Sequence, residues 1–232
     1  MAPLPNDPMA PRKKYALLKF VREWNEKHPT QMINRPDGFD PETTVIGTPA
    51  RTFLKNMQRT TGMDVTGHFN KVVMRKLLPP GIRSEVMADA HDEEGVHEWP
   101  PFSNRGEVLK YLKSVGILFG APWCGAYVSY ILNENKFKKF PPNPAYVPSW
   151  LDWAKKNNLM KKMDDSLMGD LWIWNWSGGS VDHIGFCDEG VKGSVAYYLD
   201  GNVGNNGGTV TDSHRPASGI AYVIDLIKLK NL

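Results

Sequence analysis

Between Gly169 and Cys187 the chain carries a pattern that few folds can accept. Gly169-Asp170-Leu171-Trp172-Ile173-Trp174-Asn175-Trp176 alternates as a strand does, and Ser177-Gly178-Gly179-Ser180 reads as a tight turn. Val181-Asp182-His183-Ile184-Gly185-Phe186-Cys187 is then the returning strand. A third strand is expected over Ser194–Leu199, ending in the polar run Asp200-Gly201-Asn202. Upstream, Pro122 leads into the apolar segment Trp123–Leu132, which reads as a buried helix with Cys124 in its first turn. Helices that precede a run of hairpin-connected strands make the expected class α+β.

Composition narrows the choice further. A chain of 232 residues suits one or two domains and buries a core without help from metal or disulfide. The 21 glycines and 18 prolines are about 17% of the chain, against roughly 12% on average, which points to many turns. Two cysteines, Cys124 and Cys187, are too few for a disulfide scaffold or a four-thiolate zinc site. No apolar run approaches the ~20 residues that span a bilayer, and Met1–Lys14 lacks the apolar core of an export signal. The expectation is a soluble protein made in the cytoplasm that reaches any extracytoplasmic target by another route. Residues 1–80 hold 13 Lys and Arg against 7 Asp and Glu, and residues 81–232 hold 15 against 18. A basic front module is therefore joined to a mildly acidic one, and basic surfaces suit polyanions.

Within residues 14–80 three short helices are expected. Tyr15, Leu18, Val21 and Trp24 form the apolar stripe of the first, over Lys14–Lys27. Thr48-Pro49 opens the second, with Phe53, Leu54 and Met57 buried and Gly62 ending it. Thr66 caps the third, which carries Phe69, Val72, Val73, Leu77 and Leu78 and stops at Pro79-Pro80-Gly81. Ala50-Arg51-Thr52-Phe53-Leu54, Thr61-Gly62-Met63-Asp64-Val65-Thr66-Gly67-His68-Phe69 and Met74–Leu78 together resemble the second half of the three-helix peptidoglycan-binding domain. Residues 81–104, with Asp92-Glu93-Glu94-Gly95 and Pro100-Pro101, read as a solvated connector, and residues 105–232 as the second domain, opening on a short helix over Gly106–Val115.

The chemistry is concentrated in that second domain. The first turn of a helix carries unpaired N–H groups and partial positive charge, which favours a thiolate and can hold an oxyanion. Cys124 is therefore a candidate nucleophile, with a buried structural thiol as the alternative reading. Of the six histidines, His183 stands at the start of a strand beside the hairpin, where Asp200-Gly201-Asn202 of the third strand lie alongside if the two strands pair. A nucleophile, a base and an orienting group are the minimum set for acyl transfer by cysteine.

Pro122-Trp123-Cys124-Gly125-Ala126-Tyr127-Val128-Ser129, Gly169-Asp170-Leu171, Asp182-His183-Ile184-Gly185 and Asp200-Gly201-Asn202 follow one another as they do in CHAP domains, the cysteine, histidine-dependent amidohydrolase/peptidases of the papain-like superfamily. The resemblance implies a helix bearing Cys124 packed on an antiparallel sheet bearing His183, with Cys124 as nucleophile, His183 as base and Asp200 and Asn202 as the orienting pair. Asp200 stands where the family often has glutamate, so which of Asp200 and Asn202 is the main orienter stays open. It further implies a peptidoglycan hydrolase that cleaves an amide of the wall peptide, similar to a bacteriophage endolysin, with a tail-associated lysin as competitor. A non-catalytic wall-binding or virion protein with a degenerate papain-like half is the alternative from another class.

Cys187 lies about 13 Å along the strand from His183 at ~3.3 Å per residue, and reads as structural. Trp172, Trp174 and Trp176 share one strand face and read as core packing, and Asn143–Trp150 as a loop near the cleft. Asp92, Glu93 and Glu94 fit no calcium loop. No phosphate-binding glycine loop and no His-Glu-x-x-His occurs. No cofactor, no metal ligand set, no nucleic-acid reader and no membrane insertion is expected, and the partner is peptidoglycan, met by a monomer.

Overall fold

The computed structural model describes residues 7–8, 21–22, 24–34, 45–46, 48–67, 71–77, 80–204 and 208–232. The chain divides into two compact units, Met1–Pro79 and Pro80–Leu232, and is mixed α+β as the pattern required.

In the first unit β1 (Asp7–Pro8) pairs antiparallel with β2 (Val45–Ile46). Residues 21–22 and 24–27 are helical and Val21 is buried, whereas Tyr15 and Leu18 of the expected stripe lie outside the described residues. Helix α1 (Thr48–Thr60) buries Phe53, Leu54 and Met57 completely. Gly62 follows it with φ of 72°, a left-handed conformation that suits a residue without Cβ. Helix α2 is described over Lys71–Leu77, and the residues that would show whether Thr66 caps it, 68–70, lie outside the described residues. The Thr66 hydroxyl accepts from Gln58 Nε2 at 3.0 Å, and Gln58 Oε1 takes the Gly67 N–H at 2.8 Å. Phe69 and Leu78 lie outside the described residues.

The second unit opens with α3 (Ile82–Asp92), where a connector was expected. Its Val86, Met87, Ala88 and Ala90 are fully buried, and the Tyr127 hydroxyl donates to the Ala90 carbonyl at 3.0 Å. The acidic run is only partly solvated: Asp92 is exposed, whereas Glu93 and Glu94 are half-buried. Glu93 accepts from the Tyr111 hydroxyl at 2.7 Å and pairs with Lys110, while Glu94 bonds His91. Helices α4 (Leu109–Ser114), α5 (Cys124–Glu134) and α6 (Val147–Lys156) follow. The last of these corrects the expected loop, since Val147-Pro148-Ser149-Trp150 forms its first turn and only residues 143–146 remain irregular.

The described strands β3 (Met160–Lys161), β4 (Leu171–Trp174), β5 (His183–Lys192), β6 (Val195–Val203), β7 (Thr209–Pro216) and β8 (Ile220–Ile224) form an antiparallel sheet in the order β3-β8-β4-β5-β6-β7. Helix α7 (Leu226–Lys230) closes the chain, its N-cap Asp225 accepting from the N–H groups of Ile227 and Lys228. The third strand is longer than expected, so Asp200, Gly201 and Asn202 lie inside β6 rather than after it.

Helix α5 packs on β5 and β6 through an aromatic cluster. Tyr111 stands 5.4 Å from Trp123 and 5.3 Å from Tyr127 between ring centroids, and Tyr127 meets Phe186 edge-on at 6.0 Å. Pleat alternation turns Trp172, Trp174, Cys187, Ala196, Tyr198 and Val223 to the opposite face, where they form a second buried cluster. Cys187 is thus a core thiol, and neither cysteine is in a disulfide. Beneath the sheet's end, fully buried Asp170 accepts from Arg83 Nη1 at 2.7 Å, Lys161 Nζ at 3.0 Å and the N–H groups of Leu167 and Leu226 at 2.8 and 2.9 Å. No described helix is long and apolar enough to cross a membrane.

Candidate active site

Cys124 is the first residue of α5, and Trp123 at the N-cap position makes no side-chain cap. The first N–H groups of the helix therefore point past the sulfur without an intrahelical partner. Trp123 is held from both sides. Its Nε1 donates to buried Glu98 Oε1 at 2.9 Å, and its ring lies against Gly201 so closely that a Cβ there would stand 2.5 Å from Cζ3. Gly125 makes a similar approach, with a Cβ position 2.6 Å from the Pro144 carbonyl oxygen. Segment 143–146 therefore lies directly on the first turn of the cysteine helix.

The histidine is set by the sheet. Trp174 pairs with His183 and Gly185 with Asp200, which puts the imidazole and the carboxylate on one face, two residues apart in register. Asp200 can sit there because its neighbour is glycine, a Cβ on Gly185 falling 2.8 Å from the Asp200 Cβ. His183 Nε2–H donates to Asp200 Oδ2 at 2.7 Å, and the Ser213 hydroxyl donates to Asp200 Oδ1 at 2.9 Å. With Nε2 so occupied, Nδ1 is the ring nitrogen left for the Cys124 sulfur, which acts on the proton affinity of the imidazole. The three side chains are nearly or fully buried, at 4%, 3% and 0% exposure for Cys124, His183 and Asp200.

Of the two candidate orienters, Asp200 is the one that bonds the imidazole. Asn202, on the far side of Gly201 in the strand, has a left-handed backbone (φ 66°) beside the irregularity between Asp200 and Val203, and among the described residues the bond to His183 comes from Asp200.

The electrostatics follow from burial and proximity. Burial alone would lower the proton affinity of His183. The negative charge at Cys124, the hydrogen bonds to Asp200 and Cys124 and the Asp200 charge outweigh it and push the pKa up to about 9. Burial holds the Asp200 carboxyl above its ordinary value against the pull of His183 and Ser213. Because one of its oxygens takes an N–H and the other an O–H, it serves as an acceptor on both sides and stands as the carboxylate.

Two further parts escaped the sequence reading. Trp176, expected to pack with Trp172 and Trp174, is partly exposed and stacks on the His183 ring at 3.9 Å and 20°. Arg215 lies over the same indole at 4.3 Å, necessarily on its other face, and its Nε donates to the Tyr198 hydroxyl at 2.8 Å. Asp182 fixes the turn that brings Trp176 there, accepting the N–H groups of Trp176 and Ser177 at 2.9 and 2.8 Å. Trp176 covers one face of the imidazole and holds its plane; no local periodicity signals such a stack.

Compared with family models, with curated proteins and with solved structures, the chain matches none.

The Gly201–Trp123 contact yields a direct test. Gly201→Ala is expected to cost about 1–3 kcal/mol of stability by overpacking. It also displaces Trp123 and hence the adjacent sulfur, so the nucleophile should react more slowly than the stability loss accounts for. Denaturant unfolding and alkylation kinetics of Cys124, run on the same sample, separate the two effects.

Proposed function

We propose that the chain is a peptidoglycan hydrolase of the papain-like CHAP type, endolysin-like, that cleaves an amide in the peptide part of the bacterial wall. The observation that carries this reading is the linked set Cys124–His183–Asp200, with the sulfur at an uncapped helix start. In the proposed reaction the Cys124 thiolate attacks the amide carbonyl and a tetrahedral oxyanion forms against the first N–H groups of α5, each such donor being worth about 3–4 kcal/mol. The His183 imidazolium gives its Nδ1 proton to the leaving amine, and a thioester remains on Cys124. Water, deprotonated by the now neutral imidazole, hydrolyses the thioester and regenerates the pair. Asp200 keeps the ring in register and stabilises its cationic form throughout. The first unit, with the basic balance of residues 1–80 and an apolar groove lined by Val21, Met32, Ile33 and Phe53, is proposed as the wall-binding module.

The reading is tested by adding purified protein to a suspension of susceptible cell walls. Clearing is expected from the wild type, and Cys124→Ala should bind the walls in a pull-down yet fail to clear them. Lysis retained by that variant would refute the assignment.

The pH dependence has a definite sign. His183 is needed as the imidazolium, and its pKa in the folded chain is raised to about 9, so kcat/KM should fall as pH rises through about 9. The same group contributes stability that is complete below its ordinary value of about 6.5 and is lost as pH rises through about 9. Asp200→Asn removes a negative charge that favours the imidazolium, and should move the alkaline limb to lower pH. An alkaline limb that does not move in this variant would contradict the role given to Asp200.

A further inference from the structure

On the helix-covered side of the sheet, away from the reacting sulfur, a second set of polar side chains converges from three elements. His91 lies near the end of α3 with its side chain 2% exposed, Asp188 comes from β5 with 5%, and Asp212 from β7 with 22%. A ring nitrogen of His91 and one carboxylate oxygen from each aspartate all lie within 4.8 Å of one another. Glu94, a turn further along the chain, bonds His91 Nδ1, and Asp188 Oδ1 stands 3.1 Å from Nε2.

We propose that His91, Asp188 and Asp212 form a binding site for a divalent transition-metal ion of the Zn2+ class, with Glu94 as the residue that orients the imidazole. Four features carry this. The donors are of two kinds, and an imidazole nitrogen with carboxylate oxygens suits Zn2+ and its neighbours, whereas Ca2+ and Mg2+ take all-oxygen sets. One donor atom from each residue lies within 4.8 Å of the others, a short side-chain movement from the roughly 3.3–3.6 Å between donors of a tetrahedral ion with bonds of about 2.0–2.2 Å. Glu94 bonds Nδ1, as the orienting carboxylates of metal-bound histidines do, and leaves Nε2, 3.1 Å from Asp188 Oδ1, to the ion, while Asp212 Oδ1 approaches from the Nδ1 side at 3.7 Å. Finally, three carboxylates gather about one imidazole in a largely buried place, a set of charges that suits a divalent cation.

The backbone is shaped for the site as well. The register of β5 against β6 shifts between Cys187 and Gly190, a bulge that falls at Asp188. Bulges re-aim side chains, and Asp188 is turned toward α3 while Cys187 stays in the opposite core. An ion here would clamp α3 to the strand that carries His183 and to the strand whose Ser213 supports Asp200. Its role is to hold the sheet's catalytic end together, and none of its donors belongs to the Cys124 set.

The test uses the full chain carrying Cys124→Ala, so that the active-site sulfur cannot capture the ion. After stripping with a chelator, titration calorimetry with Zn2+ should give one saturable site per chain, and Zn2+ should raise the thermal midpoint. Glu94→Gln should weaken binding by about 10–100-fold, the usual effect of losing such an orienting partner. The double variant Asp188→Asn, Asp212→Asn should abolish it. Saturable binding that survives the double variant undiminished overturns the proposal, as does the absence of saturable binding in the parent. Should the double variant fail to fold by circular dichroism, the decision passes to the Co2+-loaded parent. There the paramagnetically shifted imidazole signals must belong to His91, and signals from His183 or His214 instead would overturn the site.

Discussion

Cys124→Ser should lower amide cleavage by roughly three orders of magnitude or more while leaving the fold intact. The hydroxyl fits the space of the thiol and can keep a hydrogen bond to the imidazole, so the packing of α5 on β5 and β6 is undisturbed. What is lost is the anion. A serine hydroxyl does not ionise beside an imidazole, and removing the nucleophile of a catalytic set costs about 10^6 in a well-studied protease, far more than any supporting residue. The same substitution removes the foremost influence raising the proton affinity of His183. The imidazole should then titrate at a lower pH, readable by NMR of its ring protons. A variant that keeps its activity, or leaves the His183 titration unmoved, would contradict the thiolate–imidazolium pair.

The largest effect on stability is expected from Asp170→Ala. This carboxylate is fully buried and accepts from a guanidinium, an ammonium and two backbone N–H groups at once. Removing it strands Arg83 and Lys161 facing each other with only Asp225 between them, at 3.7 and 3.0 Å, and leaves two N–H groups unsatisfied. Breaking a buried ion pair in this way costs about 3–5 kcal/mol, a large share of the 5–15 kcal/mol that holds a typical domain together. Denaturant unfolding followed by fluorescence should show the loss. A change below about 1 kcal/mol would mean that the network is not a stability element. The acidic residue that the motif Gly169-Asp170-Leu171 offers is therefore a structural anchor joining α3, β3 and α7, remote from the chemistry.

Strong local signals made part of this legible in advance. The alternation over Leu171–Trp174 and the glycine turn after it announced the hairpin, and Pro122 before an apolar run announced the helix that starts at Cys124. Once β5 and β6 pair antiparallel, Asp200 falls beside His183, so these two residues follow from one register.

Other parts depended on distance rather than periodicity. Helix α3 is hard to see in the sequence because its buried residues, Ser84, Val86, Met87, Ala88, Ala90 and His91, mix small, polar and apolar side chains and make no clear apolar stripe. Polar Asp200 and Asn202 hid the full length of β6, since a strand that lines a site is not apolar there. Glu98 under Trp123, Ser213 on Asp200 and Trp176 over His183 are each bound to partners far away in sequence or across a turn. No spacing rule reaches them, because the sheet's curvature creates the contact.

The most direct test of the whole account is mass spectrometry of the fragments that the protein releases from defined peptidoglycan. The account requires new free amino groups at a single type of amide in the wall peptide, formed by the wild type and absent with Cys124→Ala. Release of new reducing sugar ends without new amino termini, or the same fragments from the Cys124→Ala protein, would contradict it.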